Sequence, residues 1–171
     1  MTELVTARLS LRRPGDADAG FVHELVNQPS WLRHIGDKQV RSLDDARRYI
    51  AEGPLATFAR FGFGLYCVER RSDGLPLGLC GLVKRDYLPE PDIGFAFLDR
   101  HCGQGYAAES AVAVLGHAAH PCGLARVGAI VAPANLRSMH LLEKLGFAFE
   151  RWLEVPDGTA PLRFYGRALG G

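Results

Sequence analysis

The chain lacks most of what would commit it to a specialised class. No apolar run approaches the roughly 18 residues needed to cross a bilayer, and the opening MTELVTARLSLRRPGD holds no apolar stretch of the kind a secretory leader carries. An excess of charge is missing too: 20 Lys and Arg against 19 Asp and Glu leave a formal +1, which argues against non-specific nucleic-acid binding. Cysteine is scarce, with Cys67, Cys80, Cys102 and Cys122 far apart and no C-x-x-C pair, so neither a disulfide scaffold nor a zinc ribbon is expected. His117, His120 and Cys122 come near one another without a further ligand pair, and no metal is expected there. Repeats, low-complexity tracts and linkers are absent. The expectation left by these absences is a cytoplasmic protein with neither nucleic acid nor membrane as partner.

What remains is ordinary globular material. With 171 residues, 47% hydrophobic and 23% charged, the chain can bury a real core as one domain, 1–171. ARLSLRR (7–13) alternates as a half-buried strand. Pro14-Gly15 stops it, Asp16 can cap a helix over 17–27, and Pro29 should end that helix. Ser42 and Asp45 resemble a capping box opening helical structure that runs on to Arg60. Strands follow at 63–70 and 76–85, joined by an Asp73-Gly74 hairpin, and at 91–98. A helix from Tyr106, a strand at 125–132 and a helix over 135–146 closed by Gly146 come next. Two last strands, near 147–155 and 161–169, make a hairpin whose edge can serve a dimer; monomer and homodimer both stay open. The order predicts an α/β fold with a mixed, mostly antiparallel sheet of six to seven strands, helices on both faces, and a parallel crossover between 91–98 and 125–132.

The stretch LDRHCGQGYAAESA (98–111) sets two glycines immediately ahead of a helix. Such a terminus offers unpaired N–H groups and partial positive charge, and glycines let the backbone curl into a nest around an anion. Gly103, Gln104, Gly105, Tyr106 and Ala107 are the expected donors to a phosphate. GQGYAA also satisfies G-x-G-x-x-A, but the ribose-binding acid expected about 20 residues on is missing, since no Asp or Glu occurs from Ala111 through Leu142. No Lys-Ser/Thr follows the glycines, which excludes a Walker A loop. That acid-free interval keeps Arg126, Arg137 and His140, with Lys144 just beyond, a balance suited to an anionic ligand.

RHCGQGYAAE resembles the R/Q-x-x-G-x-G/A signature of the GNAT superfamily of N-acetyltransferases, and PANLRSMHLLEKLGF resembles that superfamily's second signature. The layout from ARLSLRRPGDAD to the last strand is similar to the RimJ/RimL-like branch. The resemblance implies the acyl-CoA N-acyltransferase fold and acetyl-CoA as co-substrate. It places the pyrophosphate on the amides of 103–107 behind Arg100, the pantetheine arm against the backbone of Phe97 and Leu98, and the Asn135 amide on the pantetheine end. It also implies transfer to a primary amine, on a peptide N-terminus or a small molecule, without a covalent enzyme intermediate. Asn135 equally suits an N-cap.

Such a transfer needs a proton acceptor for the amine, a donor for the oxyanion and a partner for the thiolate. Many members use a tyrosine for the thiolate, and Leu142 stands in its place here. Ser138, one turn into the same helix, is the nearest replacement, although a first-turn hydroxyl also bonds free N–H groups. Asp92 shares a strand face with Gly94 and Ala96 by period-two parity and is the expected base, whereas Glu109 reads as structural. Trp31, His34 and Tyr87 are the expected acceptor contacts, with Asp37 close to the first two. The missing tyrosine keeps a second reading open, a catalytically idle acyl-CoA-binding sensor or interaction module.

Overall fold

The computed structural model describes residues 2–156 and 158–170. Its strands are β1 (Thr2–Val5), β2 (Leu9–Arg12), β3 (Leu65–Arg70), β4 (Pro76–Val83), β5 (Asp92–Phe97), β6 (Arg126–Val131), β7 (Ala148–Leu153) and β8 (Leu162–Ala168). They form one sheet in the order β1-β2-β3-β4-β5-β6-β8-β7. Every neighbouring pair is antiparallel except β5 and β6, which are parallel. The sheet therefore has the expected mixed character and eight strands where six to seven were expected. The additional one, β1, is a four-residue edge strand turned back onto β2 without a Gly or Pro between them, too short to show a period.

The helices are α1 (Ala19–Asn27), α2 (Pro29–His34), α3 (Leu43–Ile50), α4 (Ala56–Phe61), α5 (Tyr106–Ala119) and α6 (Leu136–Lys144). Alternation along the central strands divides the core between two faces. Tyr66, Val68, Cys80 and Leu82 pack with Ala111, Val114 and Leu115 of α5. Cys67 and Leu79 pack on the opposite face with Val22, Leu25 and Ile50 of α1 and α3. Helices thus cover both faces, as expected. No helix among the described residues is long and apolar enough to cross a membrane.

Local chemistry explains the boundaries. Asp16 opens a short 3-10 turn after Gly15, and α1 begins two residues later than expected. Pro29 does not simply end α1: Gln28 is extended and Pro29 occupies the first turn of α2, where its missing N–H costs nothing. Ser42 Oγ accepts from the Asp45 amide at 3.0 Å, while the Asp45 carboxylate accepts from the Arg41 amide at 3.0 Å. A π-turn at Ala51–Leu55 carries Pro54 between α3 and α4, so the helical run reaches Phe61. Gly74 takes φ +72° in the β3–β4 hairpin.

The feature that positions everything below is the β5–β6 junction. Its register holds one residue pair, Asp92 with Gly128, supported by the Gly128 amide donating to the Pro91 carbonyl at 2.9 Å. Beyond that pair, among the described residues, no strand pairs with the β6-facing edge of β5, and the sheet opens into a gap toward Phe97. The glycine turn stands at the open end.

Candidate active site at the gap in the sheet

Phe97 leads through Leu98 into a 3-10 turn at Asp99–His101, and then into Gly103 and Gly105 with φ +79° and +83°. Both values lie in the left-handed region that favours glycine. Gly105 is the N-cap of α5. Among the described residues, no hydrogen bond takes up the amides of Gly103, Gln104, Gly105, Tyr106 or Ala107. Nothing lies within 4 Å of where a Cβ on Gly103 would sit. The expected donors are thus unpaired among the described residues and gathered at one helix end, with Gly103, Gln104 and Gly105 exposed and Tyr106 buried.

Along β5, the Leu98 amide donates to the Leu77 carbonyl of β4 at 3.0 Å, and the Leu98 carbonyl accepts from the His101 amide at 2.9 Å. The Leu98 backbone is engaged within the fold and does not face the gap. Strand alternation turns the amides of Phe95 and Phe97 the other way, into the gap. The Phe97 carbonyl on that edge accepts from Gln28 Nε2 at 2.9 Å, and Gln28 Oε1 accepts from the Asp99 amide at 3.1 Å. One carboxamide thereby occupies the edge as a short piece of strand would.

Across the gap, Asn135 is the N-cap of α6, its Oδ1 accepting from the Ser138 amide at 3.2 Å. Ser138 is half-buried, and among the described residues its hydroxyl has no hydrogen-bond partner. Leu142, at the tyrosine position, is 2% exposed and packs into the core. Arg137 on the same helix reaches toward Cys102, but burial outweighs it and holds that thiol above its ordinary value; Cys102 is a protonated packing group. The Arg100 guanidinium pairs with Glu24 of α1 and not with the turn. Arg126 is paired with Glu90 at 3.4 Å and with Glu150, so this one cation of the acid-free interval is taken up by acids from outside it. Arg8 approaches the turn instead, its Nη1 donating to the Gln104 carbonyl at 3.0 Å.

Asp92 is at the closed end of the gap, 1% exposed, and not a charge at a solvated strand edge. Arg85 Nε bonds its two oxygens at 3.1 and 3.3 Å. Burial pushes its pKa up to about 6, against the opposing pull of Arg85. Arg85 in turn interacts with the Tyr87 phenol, and Tyr87 lines a cavity of about 440 Å³ with Asp86, Val155 and Pro156. Gly94 and Ala96 leave the middle of β5 partly open, as their small size predicts. Trp31 and His34 do not line that cavity. Trp31 packs into the core beneath α1 and α3, and its Nε1, like His34 Nδ1, is buried without a partner among the described residues. The described residues hold no cluster of three or more metal-ligating side chains.

A family model described as an acetyltransferase (GNAT) domain matches residues 8–148. The uncharacterized protein YkkB of Bacillus subtilis (strain 168) is 29% identical, covering 97% of this chain and 95% of its own length. An acetyltransferase from Agrobacterium tumefaciens str. C58 superposes with a TM-score of 0.83 at 25% identity, covering 98% and 94% of the two chains. RimL, a ribosomal L7/L12 alpha-N-protein acetyltransferase, shares the fold with a TM-score of 0.81 at 20% identity, covering 99% and 96%.

Proposed function

Because the chain belongs to the GNAT acetyltransferase family, we propose that it moves an acetyl group from acetyl-CoA directly to a primary amine. The observation that carries this reading is the bank of unpaired amides at 103–107 beside a gap with free strand edge. A diphosphate fits there because space is open at Gly103 and every donor is main chain. Acetyl-CoA, when bound, supplies an activated thioester. The chain's part is orientation, polarisation and proton management. The amides of Phe95 and Phe97 are available to polarise an acyl carbonyl within the gap. Asn135 has a free NH₂ for an amide carbonyl, since its Oδ1 alone is used by the cap. The free hydroxyl of Ser138 is suited to hydrogen-bond a departing sulfur, in place of the absent tyrosine.

Asp92 is the proton acceptor in this reading, with a value near 6 that suits a base working at neutral pH. Tyr87 marks the acceptor's entrance in this reading, whereas Trp31 Nε1 and His34 Nδ1 are buried and make no acceptor contact. RimL acts on a protein N-terminus, and a structure of AAC(6')-Ib, 18% identical, holds paromomycin with acetyl-CoA.

The test is calorimetric binding of CoA together with thiol release from acetyl-CoA against N-terminal peptides and small amines. The wild type should bind and turn over with at least one class. Gln104→Glu, which sets a carboxylate among the anion-binding amides, should weaken CoA binding by about tenfold or more. Unchanged affinity in that variant would mean that the diphosphate is bound elsewhere. Binding without turnover on any amine would favour the idle module, for which the buried Leu142 is the structural argument.

A further inference from the structure

Glu109 poses a problem for the anion site. It stands in the first turn of α5, where a bare carboxylate would repel the diphosphate that this helix end is proposed to hold. The structure surrounds it with donors from the opposite end of the sequence. Its Oε2 accepts from Thr6 Oγ1 at 2.5 Å and from the Arg8 amide at 2.9 Å, and its Oε1 accepts from Arg8 Nε at 2.7 Å. The same arginine donates through Nη1 to the Gln104 carbonyl at 3.0 Å and lies 4.5 Å over the Tyr106 ring. Its Nη2 is 3.2 Å from the place a Cβ on Gly105 would occupy. One side chain therefore bonds residues 104 and 109, lies over the ring of 106 and fills the space beside Gly105. The segment that carries it is itself held, because Arg71 donates to the carbonyls of Thr6 at 2.9 Å and Ala7 at 3.2 Å.

We infer that Arg8 is a positioning residue for the donor turn, with Glu109 as its anchor. Arg8 fixes the direction of the glycine amides and cancels the one carboxylate in the first turn of the helix. The inference rests on the proposed reading of that turn as the diphosphate site. It goes beyond that reading by giving a role to a residue ahead of the first helix, outside both signatures. A merely structural role is the competing account, and the two differ in what they disturb. The Arg8 side chain is 46% exposed, and exposed ion pairs contribute little to stability. Its loss should therefore harm binding far more than folding.

The experiment measures CoA affinity by calorimetry, steady-state kinetics and thermal midpoint for wild type, Arg8→Ala, Arg8→Lys and Arg8→Ala/Glu109→Gln. Arg8→Ala should weaken CoA binding, and raise KM for acetyl-CoA, by about tenfold or more, while kcat stays within about twofold. Arg8→Lys, which restores charge without the fork, should recover part of the loss. The double variant should bind CoA more tightly than Arg8→Ala, because the uncovered carboxylate is gone. Should Arg8→Ala fail to fold, Arg8→Met keeps the stem over Tyr106 and carries the same comparison. Wild-type affinity in Arg8→Ala, or a double variant no tighter than the single, would overturn the inference while wild-type CoA binding keeps the site reading intact. A wild type that does not bind CoA would remove the site reading and this inference together.

Discussion

Asp92 shows how one side chain is set by its surroundings. Its carboxyl is pushed up from 3.8 to about 6 by burial, which outweighs the attraction of Arg85. A folded-state pKa above the unfolded one means that the native protein binds the proton more tightly. Stability from this group is then full below about pH 4 and is lost as pH rises through about 6, by an amount on the order of 3 kcal/mol. Urea unfolding of wild type and Asp92→Asn across pH 4–8 isolates the effect, because other titrations cancel in the difference. The wild-type advantage should shrink between pH 4 and 7 and then level off; a flat difference would place Asp92 in a far more polar setting. In activity the sign reverses. The ionised form accepts the proton, so kcat/KM should rise through about pH 6 in wild type, and Asp92→Asn should lose that limb. The presence of this carboxylate was legible from strand parity with Gly94 and Ala96. Its burial was not, because it depends on tertiary packing around the start of β5 that strand parity does not reveal. Arg8 escaped for the same reason: 101 residues separate it from Glu109.

At the scale of elements, α6 makes two demands on one residue. Asn135 caps the helix through Oδ1 and is proposed to serve the ligand through its NH₂, and substitution can separate these jobs. Asn135→Asp keeps a cap acceptor, so its thermal midpoint should stay close to wild type while KM for acetyl-CoA rises. Asn135→Ala should lose both, with about 1 kcal/mol of stability gone. If Asn135→Asp leaves KM unchanged, the residue is a cap and nothing more. The elements themselves were largely readable, because long periodic segments such as α5 and β4 announce their type. What failed lay where the signal was short or double-edged. Thr2–Val5 is too brief an edge strand to show alternation, and Pro29 stops one helix while opening another. The 103–107 turn was legible because glycine ahead of a helix has few physical uses, whereas the engagement of Leu98 with β4 depends on register, which no single stretch reveals.

Across the whole molecule, the β1–β5 and β6–β8 portions of the sheet meet along β5–β6 at one residue pair, Asp92 with Gly128. Packing through α5 and Leu142 joins them on one face. A sheet divided in this way has unused strand edge, and a ligand lying along it should couple the two portions. Binding to the native state alone, at about a hundred times the dissociation constant, adds about 2.7 kcal/mol. For a chain of this size each kcal/mol raises the midpoint by about 2–4 °C, so saturating CoA should raise it by about 5–10 °C. Hydrogen exchange distinguishes this from unspecific stabilisation. Protection should appear at the amides of Phe95 and Phe97 and across 103–107, while β7, the edge strand of the other portion, should change little. The same midpoint rise with protection spread evenly over the chain would mean that CoA stabilises the fold without occupying the gap. No rise at all would sever the link between the glycine turn and the coenzyme. The division of the sheet is therefore the structural basis of the proposed activity: an uninterrupted β5–β6 ladder would be firmer and would leave the donor no edge to lie against.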